Sequence, residues 1–224
     1  MRKVKKAKNV KKVKIKMEIE TIILEFLREQ YPDAKCELLH SSIWQLLVAT
    51  ILSAQCTDVQ VNKITPALFE RFPEVDNMAK AELFEIEDLV RATGFFHNKA
   101  KNIQASARMI VSVFAGKVPS AMEELLRLPG VGRKTANVVL SNGFGINSGI
   151  VVDTHVKRIS YRLGLTKHQE NVEKIEEDLM EKFPQKVWGE LSHLMIFHGR
   201  KLCHSRSPKC EECGLKLRCH FYAR

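Results

Sequence analysis

Apolar and polar positions alternate with a helical period along almost the whole chain. Ile19, Ile22, Ile23, Phe26 and Leu27 recur at one-, three- and four-residue intervals, the spacing of one helix face. Tyr31-Pro32-Asp33 closes that element. Residues 43–60 are so rich in apolar side chains that they predict a buried helix. Segments 64–72, 79–92, 98–114, 120–127, 133–142, 153–163, 170–182 and 186–197 also fit helices. Pro66, Pro73, Pro119, Pro129 and Pro184 fall at or near the expected breaks, where proline is best tolerated. Residues 148–152 read as a strand, too short to build a sheet. The pattern predicts an all-α fold without a solenoid period. Gly143, Gly145, Asn147, Ser148 and Gly149 suggest a domain boundary near 143–150.

A length of 224 residues allows one or two domains. With 45% hydrophobic and 28% charged residues, the chain has the composition of a soluble globular protein. No apolar run reaches the ~18 residues of a membrane span, and the basic N-terminus lacks the apolar segment of a secretory signal. These features disfavour membrane, secreted and fibrous classes. The formal charge is +10, but nine of the 36 Lys and Arg lie in residues 1–16, which contain no acid. The other residues carry 27 basic groups against 26 acidic ones. The sequence therefore predicts a mobile basic tail over 1–16. Overall charge says little about what the folded body binds.

Six cysteines are present. Cys36 and Cys56 stand apart and read as small buried hydrophobes. Cys203, Cys210, Cys213 and Cys219 form a C-x6-C-x2-C-x5-C cluster. Four thiolates can hold tetrahedral zinc or a [4Fe–4S] cluster, and spacing alone leaves both open. Between the first two lie Arg206 and Lys209. They would either offset the negative charge of the metal site or contact phosphate.

Leu128-Pro129-Gly130-Val131-Gly132-Arg133-Lys134 joins two helical stretches. Glycines leave backbone amides uncovered, and exposed amides at a helix N-terminus attract anions. Lys134 falls in the first turn of the second helix, where the dipole disfavours a cation and so favours the neutral amine a nucleophile needs. Arg133 would push the same way. Asp153, after Val151-Val152, is placed to cap the next helix. Capping leaves it a catalytic role if one oxygen stays free. His155 reads as a packing or hydrogen-bonding residue.

The hairpin, the Val151-Val152-Asp153-Thr154-His155-Val156 segment and the cysteine cluster occur in this order in one chain. Together they resemble the endonuclease III family of DNA repair glycosylases, over roughly residues 17–222. The resemblance implies a helix–hairpin–helix glycosylase fold with two helical domains flanking a DNA-binding cleft. One would be a six-helix barrel, 36–147; the other would combine 17–35 with 148–224 around a [4Fe–4S] cluster held by Cys203, Cys210, Cys213 and Cys219. It implies Lys134 as Schiff-base nucleophile and Asp153 as its carboxylate partner. Gly130, Gly132 and Arg133 would lie on phosphate, with Arg206 and Lys209 as further DNA contacts. Gln55 would fill the gap left by an extruded base, and Phe95 would wedge into the stack where the family usually has Leu.

The adenine-removing branch lacks the hairpin lysine and has a glutamate in the early helix. Here Lys134 is present, and Leu46-Leu47-Val48-Ala49-Thr50-Ile51 has no acid. The implied activity is removal of oxidised pyrimidines from damaged double-stranded DNA, followed by strand cleavage at the abasic site. The implied protein is a monomer on chromosomal DNA in the cytoplasm. Three rival readings are a monofunctional glycosylase for mismatched or alkylated bases, a non-enzymatic helix–hairpin–helix DNA binder, and a zinc-stabilised basic protein.

Overall fold

The computed structural model describes residues 18–223; the basic segment 1–16 lies outside the described residues. Those residues form eleven α-helices with short 3-10 and π turns and no strand. The helices build two hydrophobic cores. The first contains Trp44, Leu47, Leu68, Ile86, Ile103, Leu128 and Val139, and the second Leu27, Val156, Ile159, Leu179, Leu191 and Met195.

The first core is supplied by α2 (Ile43–Leu52), α3 (Asp58–Arg71), α4 (Val75–Lys80), α5 (Leu83–Val90), α6 (Phe96–Val113), α7 (Met122–Leu125) and α8 (Arg133–Val139). The second is supplied by α1 (Ile19–Gln30), α9 (Thr154–Arg162), α10 (Val172–Lys182) and α11 (Trp188–Lys201). The apolar stripe of α1 therefore crosses the chain to pack with C-terminal helices.

Several expected boundaries moved, each for a local reason. The single helix expected over 43–60 breaks between Leu52 and Asp58. Gln55 adopts a left-handed φ of 53°, and the Thr57 hydroxyl accepts from the Gln60 amide to start a new helix. That helix runs through Pro66, which was expected at a break. Pro66 has no N–H to give the Asn62 carbonyl, yet buried Thr65 and Leu68 hold the segment on the core. The helix expected over 79–92 is two, because Ala81 is extended at ψ 152°. Helix α8 continues as a π turn, Leu140–Phe144. The strand expected over 148–152 does not form: no second strand stands beside it, and the Val151 amide donates to Ser192 Oγ.

Candidate functional site

A cavity of about 320 Å³ opens between the two cores and brings Gln55, Lys134 and Asp153 onto one surface. Lys134 is exposed at the second position of α8. Asp153 is half-buried and caps α9: its Oδ1 accepts from the amides of His155 and Val156, both at 2.8 Å. Among the described residues Oδ2 accepts no hydrogen bond, so one oxygen organises the helix and the other is available to the cleft. The amine comes from a helix of the first core and the carboxylate from a helix of the second. A group bound between them would touch both halves of the molecule.

The hairpin before α8 is anchored by buried Leu128 and Val131 and by Ser106 Oγ donating to the Pro129 carbonyl at 2.8 Å. Its glycines have different origins. Gly130 has φ 79°, and a Cβ there would stand 2.9 Å from Asn102 Cβ, so glycine is required twice over. Gly132 has φ −97° and ψ 175°, open to any residue, and a Cβ would meet nothing within 4 Å. Neither backbone conformation nor space requires glycine at Gly132; what glycine leaves there is an uncovered amide. Arg133 is not free. Its guanidinium donates to Glu176 on α10 through Nε at 2.7 Å and Nη2 at 3.0 Å, which raises its pKa, and Asn137 Nδ2 donates to the same carboxylate at 3.0 Å. The charge expected to act on Lys134 is therefore offset.

Among the described residues four non-glycine residues have left-handed φ: Gln55, Phe95, Ala115 and Ser207. Three of them lie in segments the sequence marked for DNA contact. Each such residue costs about 1–3 kcal/mol of backbone strain, and strain of this kind clusters at functional sites. Phe95 is 67% exposed, whereas its neighbour Phe96 packs against the first core. Phe95, Gly130, Gly132, Arg133 and Arg206 lie outside the cavity lining, and Lys209 belongs to a second cavity.

That second cavity is lined by Cys203, Cys210, Cys213 and Cys219 together with apolar Ile159, Leu163, Leu202 and Pro208. Among the described residues no three His, Cys, Asp or Glu groups converge closely enough for a single ion. The chemistry of this donor set, four sulfurs around one cavity, suits a thiolate-bound metal centre. Arg162 Nη1 donates to Cys203 Sγ at 3.3 Å and to the His204 carbonyl at 2.7 Å, and its Nη2 reaches the Ser205 carbonyl. One guanidinium thus shapes the loop carrying Arg206. Burial pushes the Cys213 thiol up and His198 down to about 4. Neutral His198 lies 2.9 Å from the Tyr31 hydroxyl at Nδ1 and faces Cys213 Sγ at 3.8 Å with Nε2.

The family model for the HhH-GPD superfamily of base excision DNA repair proteins matches residues 48–185. A protein called endonuclease III from Synechocystis sp. is 54% identical over 210 residues, covering 94% of this chain and 95% of that protein. The chain belongs to the endonuclease III family. A solved non-covalent endonuclease III–DNA complex superposes with a TM-score of 0.86 at 42% identity, over 92% of this chain and 98% of that one. A trapped endonuclease III–DNA covalent intermediate superposes with a TM-score of 0.85, with the same identity and coverage. No described helix is long and apolar enough to cross a membrane.

Some residues around the sites in this endonuclease III family member were not singled out from sequence. Glu176 is 3% exposed and lies beneath the lysine-bearing helix. Arg200 pairs with Glu37 and Asp58 across the cleft. His193 Nε2 lies 2.9 Å from Asn142 Oδ1 in the cavity wall. Arg158, whose guanidinium donates to the Cys203 carbonyl at 2.9 Å, and Arg162 do leave a signal, being four apart on one helix face. Glu176 and Arg200 leave none, because their partners are 39 or more residues away.

Proposed function

We propose that this protein is a bifunctional DNA glycosylase and AP lyase of base excision repair, with Lys134 as nucleophile and Asp153 as its carboxylate partner. The observation that carries the assignment is their meeting on one cavity between two cores, with Asp153 Oδ2 unengaged among the described residues. The substrate is an oxidised pyrimidine in double-stranded DNA, or an abasic site. Its nucleotide must leave the stack, at a cost of a few kcal/mol that is lowest for damaged bases. Gln55 fills the gap, Phe95 wedges the duplex open, and the amides at Gly130 and Gly132 hold backbone phosphate. Arg206 and Lys209 extend that contact.

Neutral Lys134 Nζ then attacks the sugar C1′, and the base departs with the electrons of the glycosidic bond. Asp153 takes the proton shed by the amine or offsets positive charge developing on the sugar. The nitrogen lone pair then opens the sugar ring, the C1′–O4′ bond breaking as O4′ takes a proton, and the iminium so formed acidifies the C2′ proton. Removal of that proton expels the 3′ phosphate, and water hydrolyses the imine, freeing Lys134 and leaving an unsaturated aldehyde on the cut strand. Cys203, Cys210, Cys213 and Cys219 would hold a [4Fe–4S] cluster, whose role would be to organise the loop carrying Arg206 and Lys209. The first core, with 36–147, and the second, with 17–35 and 148–224, form the two walls of the DNA cleft of a monomer acting on chromosomal DNA in the cytoplasm.

A panel of lesion-bearing duplexes with borohydride present tests this reading. Oxidised pyrimidines and abasic sites should give strand cleavage and a covalent protein–DNA adduct. Base release without cleavage or adduct would favour the monofunctional alternative.

A further inference from the structure

Lys99 has no part in the chemistry above, yet it is 5% exposed. It sits in the first turn of α6, where the helix dipole disfavours a cation. Burying a charge is costly unless hydrogen bonds replace its water. Among the described residues its nitrogen makes no carboxylate pair; it donates to the carbonyls of Leu52 and Thr93, each at 2.8 Å. Burial pulls the amine below the usual lysine range.

The identity of those two carbonyls gives the arrangement its meaning. Leu52 is the last residue of α2, and Thr93 ends the 3-10 turn Arg91–Thr93. The last carbonyls of a helix lack intrahelical donors, and a cation suits them. Three residues beyond Leu52 stands Gln55, and two beyond Thr93 stands Phe95, with left-handed φ of 53° and 49°. One ammonium group therefore ties the roots of two loops whose tips both hold strained backbone. A neutral side chain of the same length would fill the space but leave both carbonyls without this donor.

We propose that Lys99 is a positioning residue that couples the two DNA-probing loops, holding Gln55 and Phe95 in register so that they enter the duplex together. This rests on the reading of those two residues as the gap-filler and the wedge. The coupling matters where a nucleotide must be extruded from paired DNA. It matters far less on a single strand, which needs no gap filled and no stack opened.

The test compares borohydride trapping at a preformed abasic site in duplex and in single-stranded DNA, under single-turnover conditions with full-length protein. The readout is the ratio of the two rates, because a general loss of folded or active enzyme lowers both equally. Lys99→Met and Lys99→Gln are measured, the second keeping a polar group in the cavity in case the first does not fold. Phe95→Ala and Gln55→Ala serve as references. A misplacement near 1 Å can cost up to a hundredfold, so the ratio should fall roughly tenfold in Lys99→Met and less in Lys99→Gln. The reference variants should also lower it. An unchanged ratio in the Lys99 variants, with a fall in the references, overturns the coupling alone. An unchanged ratio in the references as well overturns the reading of the two loops on which it rests.

Discussion

Arg133→Met should destabilise the protein more than Glu176→Gln, although the two substitutions break the same ion pair. The reason is unequal burial: the Glu176 side chain is 5% exposed and the Arg133 side chain 46%. Removing the guanidinium strands a buried carboxylate with Asn137 Nδ2 as its remaining donor among the described residues. Breaking a buried pair in this way costs about 3–5 kcal/mol. Removing the carboxylate instead leaves an arginine that can turn toward water, and the loss is that of charged hydrogen bonds, about 1.5–3 kcal/mol. Arg133→Met/Glu176→Met should recover part of the larger loss, since an apolar replacement of a buried pair is often tolerated. At roughly 2–4 °C per kcal/mol for a chain of this size, Arg133→Met should lower the melting temperature by roughly 6–20 °C. Urea unfolding of the holoprotein and these variants, with Glu176→Met added to complete the double-mutant cycle, is followed by circular dichroism. Equal losses below about 1 kcal/mol for both single variants would mark a solvated pair and refute the argument from burial.

Three further outcomes follow from the geometry. Gly130→Ala should destabilise the fold by about 1 kcal/mol or more, from its positive φ and the approach to Asn102, whereas Gly132→Ala should leave stability intact and weaken DNA binding; melting curves and duplex titrations separate the two. Replacing any of Cys203, Cys210, Cys213 or Cys219 by Ser should lower iron content and visible absorption of the purified protein, while Cys36→Ser and Cys56→Ser should retain both. Burial holds His193 below its ordinary pKa, so the unfolded chain binds its proton more readily. Its stabilising contribution is full above the unfolded value of ~6.5 and is lost as pH falls from there through the folded value. His193→Gln should therefore flatten the loss of stability between about pH 7 and 5, read from urea midpoints.

The fold class was legible because amphipathic period and proline placement act locally. The breaks were harder to see. Thr57 and Gln60 have the spacing of a helix start, but the apolar run from Ile43 hid it. Phe95 and Phe96 are chemically alike, and only the left-handed turn at Phe95 sends one to solvent and the other to the core. Lys134, Asp153 and the cysteines stood out because their motifs are contiguous. Glu176 and buried Lys99 did not, since a glutamate or lysine in a helix ordinarily faces water and their partners are set by tertiary packing.

The central claim is that the Lys134 amine forms the covalent bond to DNA. Borohydride-reduced adduct from an abasic duplex can be digested and the modified residue located by peptide mass spectrometry. The sugar remnant should lie on Lys134, and Lys134→Gln should give no adduct although it still binds the duplex. A remnant on another lysine, or trapping by Lys134→Gln at the native rate, would contradict the claim.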